Sequence, residues 1–283
     1  VTGRAAGREQ AARILSAPHF LRRRPAPAGT IGAMRRPLLR VALLLLLSAA
    51  GPAAAQTGAP VEAARDLLRA YHEDPARIDR ARDLLEAHVA RGAAPDVPTL
   101  LALARTWFLF GDERSGSVEE RIAAYERGRD YAKRAVALAP NDAQTHLWYA
   151  ITLGSWSKAQ GLLRSAVTLR ELRAEVATVL RLEPNSIPGH TMAGSLAREL
   201  PQVMGGDRRQ AEEHFKTALR LDPRRTGARV ELAQLYVDMG RYAEARQELE
   251  AVLAEKTPTD RPRWTLKEVP RARKMLEAIR DKK

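Results

Sequence analysis

Few side chains in this 283-residue sequence are placed to do chemistry. His146 and His190 are suited to hold a metal or to carry a proton near neutral pH. They stand 44 residues apart at the same place in a repeat, with no His-x-x-x-His spacing and no Cys anywhere in the chain. That pattern predicts large packing residues between helices, and no metal site. Gly205-Gly206-Asp207 resembles a phosphate-binding turn, but the Gly-Lys-Ser/Thr that completes such a loop is absent. A turn with Asp207 as N-cap and Gln210 three residues on is the better fit. The carboxylate pairs Glu119-Glu120 and Glu212-Glu213 fall in first helical turns, where the helix dipole favours acid without any catalytic role. No serine elbow and no His-Glu-x-x-His occurs. The residues predict neither catalytic groups nor a cofactor.

The elements that carry these residues announce themselves by repetition. Ala135-Val-Ala-Leu-Ala-Pro140, Val179-Leu-Arg-Leu-Glu-Pro184 and Ala218-Leu-Arg-Leu-Asp-Pro223 are variants of one six-residue phrase. Apolar residues recur at three and four, alternation at two is nearly absent, and Gly and Pro punctuate the segments. The spacing matches the tetratricopeptide pattern of about 34 residues, with small residues at positions 8, 20 and 27, an aromatic at 11 and Pro at 32. Leu232, Ala233, Tyr236, Gly240 and Ala245 fit it without gaps. Earlier repeats fit once extra residues are allowed between their first and second helices. The prediction is an all-α tetratricopeptide-type solenoid of helical hairpins. Five pairs are expected at about 60–91, 97–138, 142–182, 186–221 and 225–256, with a C-terminal capping helix at 270–281. The extra residues lie on one edge, where they would either line a ligand site, build a homo-oligomer interface or simply lengthen helices.

The first 55 residues differ in kind. They carry nine Arg and a single acid, Glu9. Met34-Arg35-Arg36-Pro37 leads into a Leu-rich run of about ten residues, then Ala53-Ala54-Ala55. This is the layout of a secretory signal with cleavage after Ala55, and it is too short to span a membrane. Residues 1–33 are expected to be a leader outside the functional protein, 34–55 the signal and 56–283 the solenoid, exported to the periplasm or beyond. Without residues 1–55 the net charge falls from +13 to +5. That balance, with few aromatics, argues against a nucleic-acid partner. A Cys-free exported chain is held by packing alone.

In a solenoid of this class, positions 2, 5, 9, 12 and 13 of each first helix face the concave groove. Here they include Arg105, Phe108, Gln144, Ile151, Ser155, Thr191, Ser195, Arg198, Gln234 and Asp238. The mix is amphipathic, and its two arginines are able to clamp a carboxylate. It suits a peptide tail or an acidic small ligand.

Three segments carry a closer resemblance: Leu101-Ala-Leu-Ala-Arg105, Tyr125-Glu-Arg-Gly-Arg-Asp-Tyr-Ala-Lys-Arg-Ala135 and His146-Leu-Trp-Tyr-Ala-Ile151. With the long second helices, they make residues 97–283 resemble the regulator-of-microtubule-dynamics family. The Leu200-Pro201 to Gly205-Gly206-Asp207 insertion is similar to the T-component proteins of TRAP-type transporters. Both resemblances imply a helical-repeat scaffold without catalysis. The expected function is an exported scaffold for a protein or peptide partner. The alternative is a transporter accessory that binds a small organic acid.

Overall fold

The computed structural model describes residues 51–92 and 94–283. The leader 1–33 and the signal segment up to residue 50 lie outside the described residues. The described residues fall in one compact unit, Ala50–Lys283, and contain helices and no strand.

The helices are α1 Gly51–Arg69, α2 Ala76–Ala90, α3 Val97–Glu113, α4 Val118–Leu138, α5 Ala143–Ala159 and α6 Leu162–Leu182. They continue as α7 Ile187–Glu199, α8 Arg208–Leu221, α9 Thr226–Asp238, α10 Tyr242–Ala254 and α11 Val269–Ala278. Successive helices pack in antiparallel pairs, α1 with α2, α3 with α4 and so on to α9 with α10, and α11 covers α10. This is an all-α helical-hairpin solenoid.

Local chemistry sets the helix starts. Asp96 accepts the Thr99 amide at 3.0 Å, Asp142 the Gln144 amide at 2.8 Å, and Asp207 the Arg209 and Gln210 amides at 2.8 and 3.1 Å. Ser117 accepts the Glu120 amide at 3.0 Å. Each cap satisfies donors that a helix N-terminus leaves unpaired.

The extra residues of the first two long repeats are absorbed as helix. α4 and α6 are 21 residues each, and short links join them to α3 and α5. α3 also runs on through Gly111 to Glu113 instead of stopping at the glycine. Gly111 serves close approach instead: a Cβ there would sit 2.7 Å from the Tyr125 ring. Only the third insertion stays outside α-helix. It forms a 3₁₀ turn at Gln202–Met204. A Cβ on Gly206 would meet the Leu200 carbonyl oxygen at 1.8 Å, so the loop closes only with glycine there.

The core is a chain of adjoining clusters, as expected when each pair contacts only its neighbours. One cluster joins Tyr71, Ile78, Leu85, Leu103 and Trp107. The next holds Ala104, Ala132, Ala150, Leu153 and Val176. The last holds Phe215, Leu232, Tyr236, Leu249 and Ala272.

The recurring histidine position has a structural explanation. His146 Nε2 lies 2.9 Å from the Pro140 carbonyl oxygen, His190 Nε2 lies 2.9 Å from that of Pro184, and Arg229 donates to that of Pro223 at 3.0 Å. Position 4 of these three repeats thus covers the carbonyl exposed where proline breaks the preceding helix. The same side chain reaches position 23 of its own repeat, on the second helix: His146 to Glu175 at 2.6 Å, Arg229 to Glu248 at 2.8 Å, and His190 to His214 at 3.0 Å.

Candidate functional site

The groove between the first helices holds a cavity of about 900 Å³. Seven predicted groove residues line it: Arg105 and Phe108 from α3, Gln144, Ile151 and Ser155 from α5, Thr191 and Ser195 from α7. The other three, Arg198, Gln234 and Asp238, stand beside it in a separate network. Arg198 donates to Glu231 at 3.1 Å, to Asp238 at 3.2 Å and to Glu199 at 3.1 Å. Gln234 donates to Asp238 at 2.9 Å. Arg198 is therefore engaged by three carboxylates, and Arg105 is the predicted arginine without one.

One wall of the cavity is apolar. Leu147, Trp148 and Ile151 of α5, Leu172 of α6, and Met192 and Leu196 of α7 form it. Phe108 is held in place by Tyr125, its ring centroid 5.9 Å away, and by Trp148 edge-on at 6.2 Å. The third insertion adds Leu200, Pro201 and Met204 at the rim. Val203, at the tip of the same loop, is 95% exposed.

The opposite wall is charged and comes from a segment outside the five helix pairs expected from the sequence. Between α10 and α11 the chain makes a turn at Arg261–Arg263 and a π-helical turn at Trp264–Glu268. Asp260, Arg263, Lys267 and Glu268 of this stretch, with Arg271 of α11, all line the cavity. The segment is anchored on its own end by Trp264, whose indole donates to the Val252 carbonyl at 2.9 Å, and by Thr226, whose hydroxyl donates to Glu268. It then reaches the other end of the solenoid. Lys267 donates to the Asp112 carbonyl at 3.1 Å and pairs with Glu113 at 3.2 Å. Arg263 lies 3.9 Å from Asp112 and from Glu268, and Leu266 packs on the N-terminal core cluster. The N-terminal two pairs and the last repeat thus meet across the groove through this strap. Its sequence signal is Asp260-Arg-Pro-Arg-Trp264 through Lys267, a charge-dense run inside an apparent linker.

Electrostatics follow from this enclosure. Burial pulls the Arg105 guanidinium below its usual range, and nearby Asp260 offsets that only in part. Burial pushes the Tyr71 hydroxyl well above its ordinary value, so it stays protonated as a donor. Glu268 and Glu113 are also raised by burial, with Lys267 opposing the shift at Glu113. For Arg263 the carboxylates Asp112, Glu268 and Asp260 together outweigh the opposing effect of burial. The arrangement can hold an elongated molecule with one apolar side and an anionic group.

No helix of the described residues is long and apolar enough to cross a membrane. No curated protein matches the chain. Among solved structures, the thermophilic tetratricopeptide protein TTC0263 of Thermus thermophilus is similar at 21% identity, with a TM-score of 0.56, covering 79% of this chain and 98% of that one. The pilF protein of Pseudomonas aeruginosa is similar at 15% identity, with a TM-score of 0.46, covering 78% and 92%. The likeness to the first supports the fold. Residues 203–268 match a tetratricopeptide repeat model. Residues 61–203, just over half of the sequence, match the model described as regulator of microtubule dynamics protein 1-3. The chain belongs to the regulator of microtubule dynamics protein 1-3 family.

Proposed function

We infer that this protein is an exported, non-enzymatic scaffold that holds a segment of a protein or peptide partner in its groove, within the cell envelope. The observation that carries this reading is the two-sided cavity: an apolar wall from α5 to α7 faces a charged strap, with Arg105 left without an ion pair. Such a surface recognises an amphipathic segment by burial on one side and by charge on the other. The export half rests on the basic, Leu-rich, Ala-terminated N-terminus. N-terminal sequencing of secreted protein should begin at Gln56; a start within residues 1–33 would contradict it.

Affinity capture with purified protein as bait tests the scaffold reading. Ile151→Asp, which places a charge on the apolar wall, should abolish capture of a partner that the wild type retains. An unchanged partner set would refute the groove as the binding surface. A second reading is supported by the strap, which turns an open groove into a cavity of ligand size. In that case the protein is an accessory of a TRAP-type transporter that binds a small organic acid. Genes for a transporter permease and binding protein beside this one would favour it.

A further inference from the structure

Ten charged side chains line the cavity, six cations against four carboxylates. Four of the cations are matched. Lys158 pairs with Glu199 at 2.7 Å, Arg271 with Glu231, Lys267 with Glu113 at 3.2 Å, and Arg263 lies between Asp112 and Glu268. Among the described residues, no carboxylate oxygen lies within 4.0 Å of Arg105 or Arg225. Arg105 is half-buried on α3, and burial pulls its guanidinium below its usual range. Close to it, in the turn between α1 and α2, the Tyr71 side chain is 2% exposed, and its hydroxyl has no hydrogen-bond partner among the described residues. An unpaired guanidinium and an orphaned hydroxyl are both costly to bury. Both are donors, and both lie on the cavity that the apolar wall extends.

The one acid left over is Asp260, whose carboxylate already accepts the Arg263 backbone amide at 3.2 Å. Its charge tempers the field at Arg105, leaving room there for one negative charge, not two. The strap supplies the remaining constraint. While Lys267 and Leu266 hold the strap on the first repeats, the groove is covered from that side, which favours an occupant that presents an end.

We propose that the cavity receives an apolar chain terminating in a single carboxylate, which enters end-first and delivers that carboxylate to Arg105 and the Tyr71 hydroxyl. This rests on the groove reading above and names the chemistry it selects. Two sources share that chemistry: the C-terminus of a partner polypeptide and a free organic acid with an apolar body.

The test uses a dye-labelled leucine-rich hexapeptide as free acid and as C-terminal amide, followed by fluorescence anisotropy, with decanoate and decanol as competitors. The free acid should bind, and amidation should weaken binding roughly tenfold or more, the range of a charge-assisted guanidinium–carboxylate pair. R105Q should bring the acid to the affinity of the amide and leave the amide unchanged. Because it removes an unpaired, half-buried charge, R105Q should also raise the melting temperature of the unliganded protein. Displacement of the peptide by decanoate but not decanol, at lower concentration than the peptide itself needs, identifies a free acid as the preferred source. Tighter peptide binding identifies a polypeptide C-terminus. Equal binding of acid and amide overturns the carboxylate assignment while leaving the groove standing. If neither the peptides nor the acid binds, the groove reading itself falls, and this inference with it.

Discussion

Between α7 and α8 the solenoid is joined by Phe215, Ala211 and Ala218, all with no exposed surface. Between its two ends it is joined by Lys267 and Arg263 reaching Asp112 and Glu113, helped by one half-buried leucine. The first kind of joint is apolar, continuous and indifferent to salt. The second is a set of partly exposed charges 3.2 to 3.9 Å apart, whose attraction in water is small and screened by ions. The helix pairs therefore give the molecule its stability, while the end-to-end joint is the part that solution conditions can loosen. That is also where the cavity acquires its charged wall.

The largest expected effect lies in the apolar joints. F215A should destabilise the protein by about 3–5 kcal/mol, because a fully buried ring is lost against a glycine-lined neighbour that cannot collapse to fill the space; chemical denaturation measures it. G111A should follow. The added methyl meets the Tyr125 ring at 2.7 Å, and overpacking outweighs the gain in helix propensity for a net loss of about 1–2 kcal/mol. A stabilised G111A protein would mean that α3 and α4 are less tightly apposed than their geometry indicates.

A pH effect comes next. His214 is held below its ordinary value of 6.5 by burial first and by His190 second. The folded protein therefore takes up this proton less readily than the unfolded chain. Stability is fully present above about pH 6.5 and declines as pH falls below it. Replacing the pair with H190R and H214E, the combination that Arg229 and Glu248 form in the next repeat, should flatten this acid limb in urea melts at pH 7.5 and 5.5. The smallest global effect is expected at the strap. K267A should change stability by only about 0–1 kcal/mol yet speed amide exchange across residues 260–268. Raised salt should mimic the mutation in the wild type and add little in K267A.

The same contrast explains what can be read from the sequence. Prolines 140, 184 and 223, the capping residue Asp207 and the small residues at positions 8, 20 and 27 act within a repeat, where spacing along the chain equals spacing in the fold. Seven of the ten groove residues reach the cavity for the same reason: their helical positions point one way in every pair. Arg198 looks like a free clamp in the sequence because the carboxylates that hold it, Glu231 and Asp238, lie on another helix 33 and 40 residues away. The pairing of His190 with His214 is invisible to a search for ligand spacing along one helix. The strap is harder still. Whether residues 260–268 meet residues 112–113 depends on the rotation accumulated over four helix pairs, a sum of small packing angles that no local pattern records.

The meeting of the two ends can be measured directly, because the chain has no native cysteine. Spin labels at E119C and T265C, one on the first turn of α4 and one on the exposed face of the strap, report the separation by pulsed electron resonance. A single narrow, short distance at moderate salt, broadening when K267A and L266A are added, is the result expected of a solenoid closed over its groove. A broad or long distribution in the otherwise wild-type protein, no different from that of the strap variant, would show that the ends do not meet and that the groove stands open.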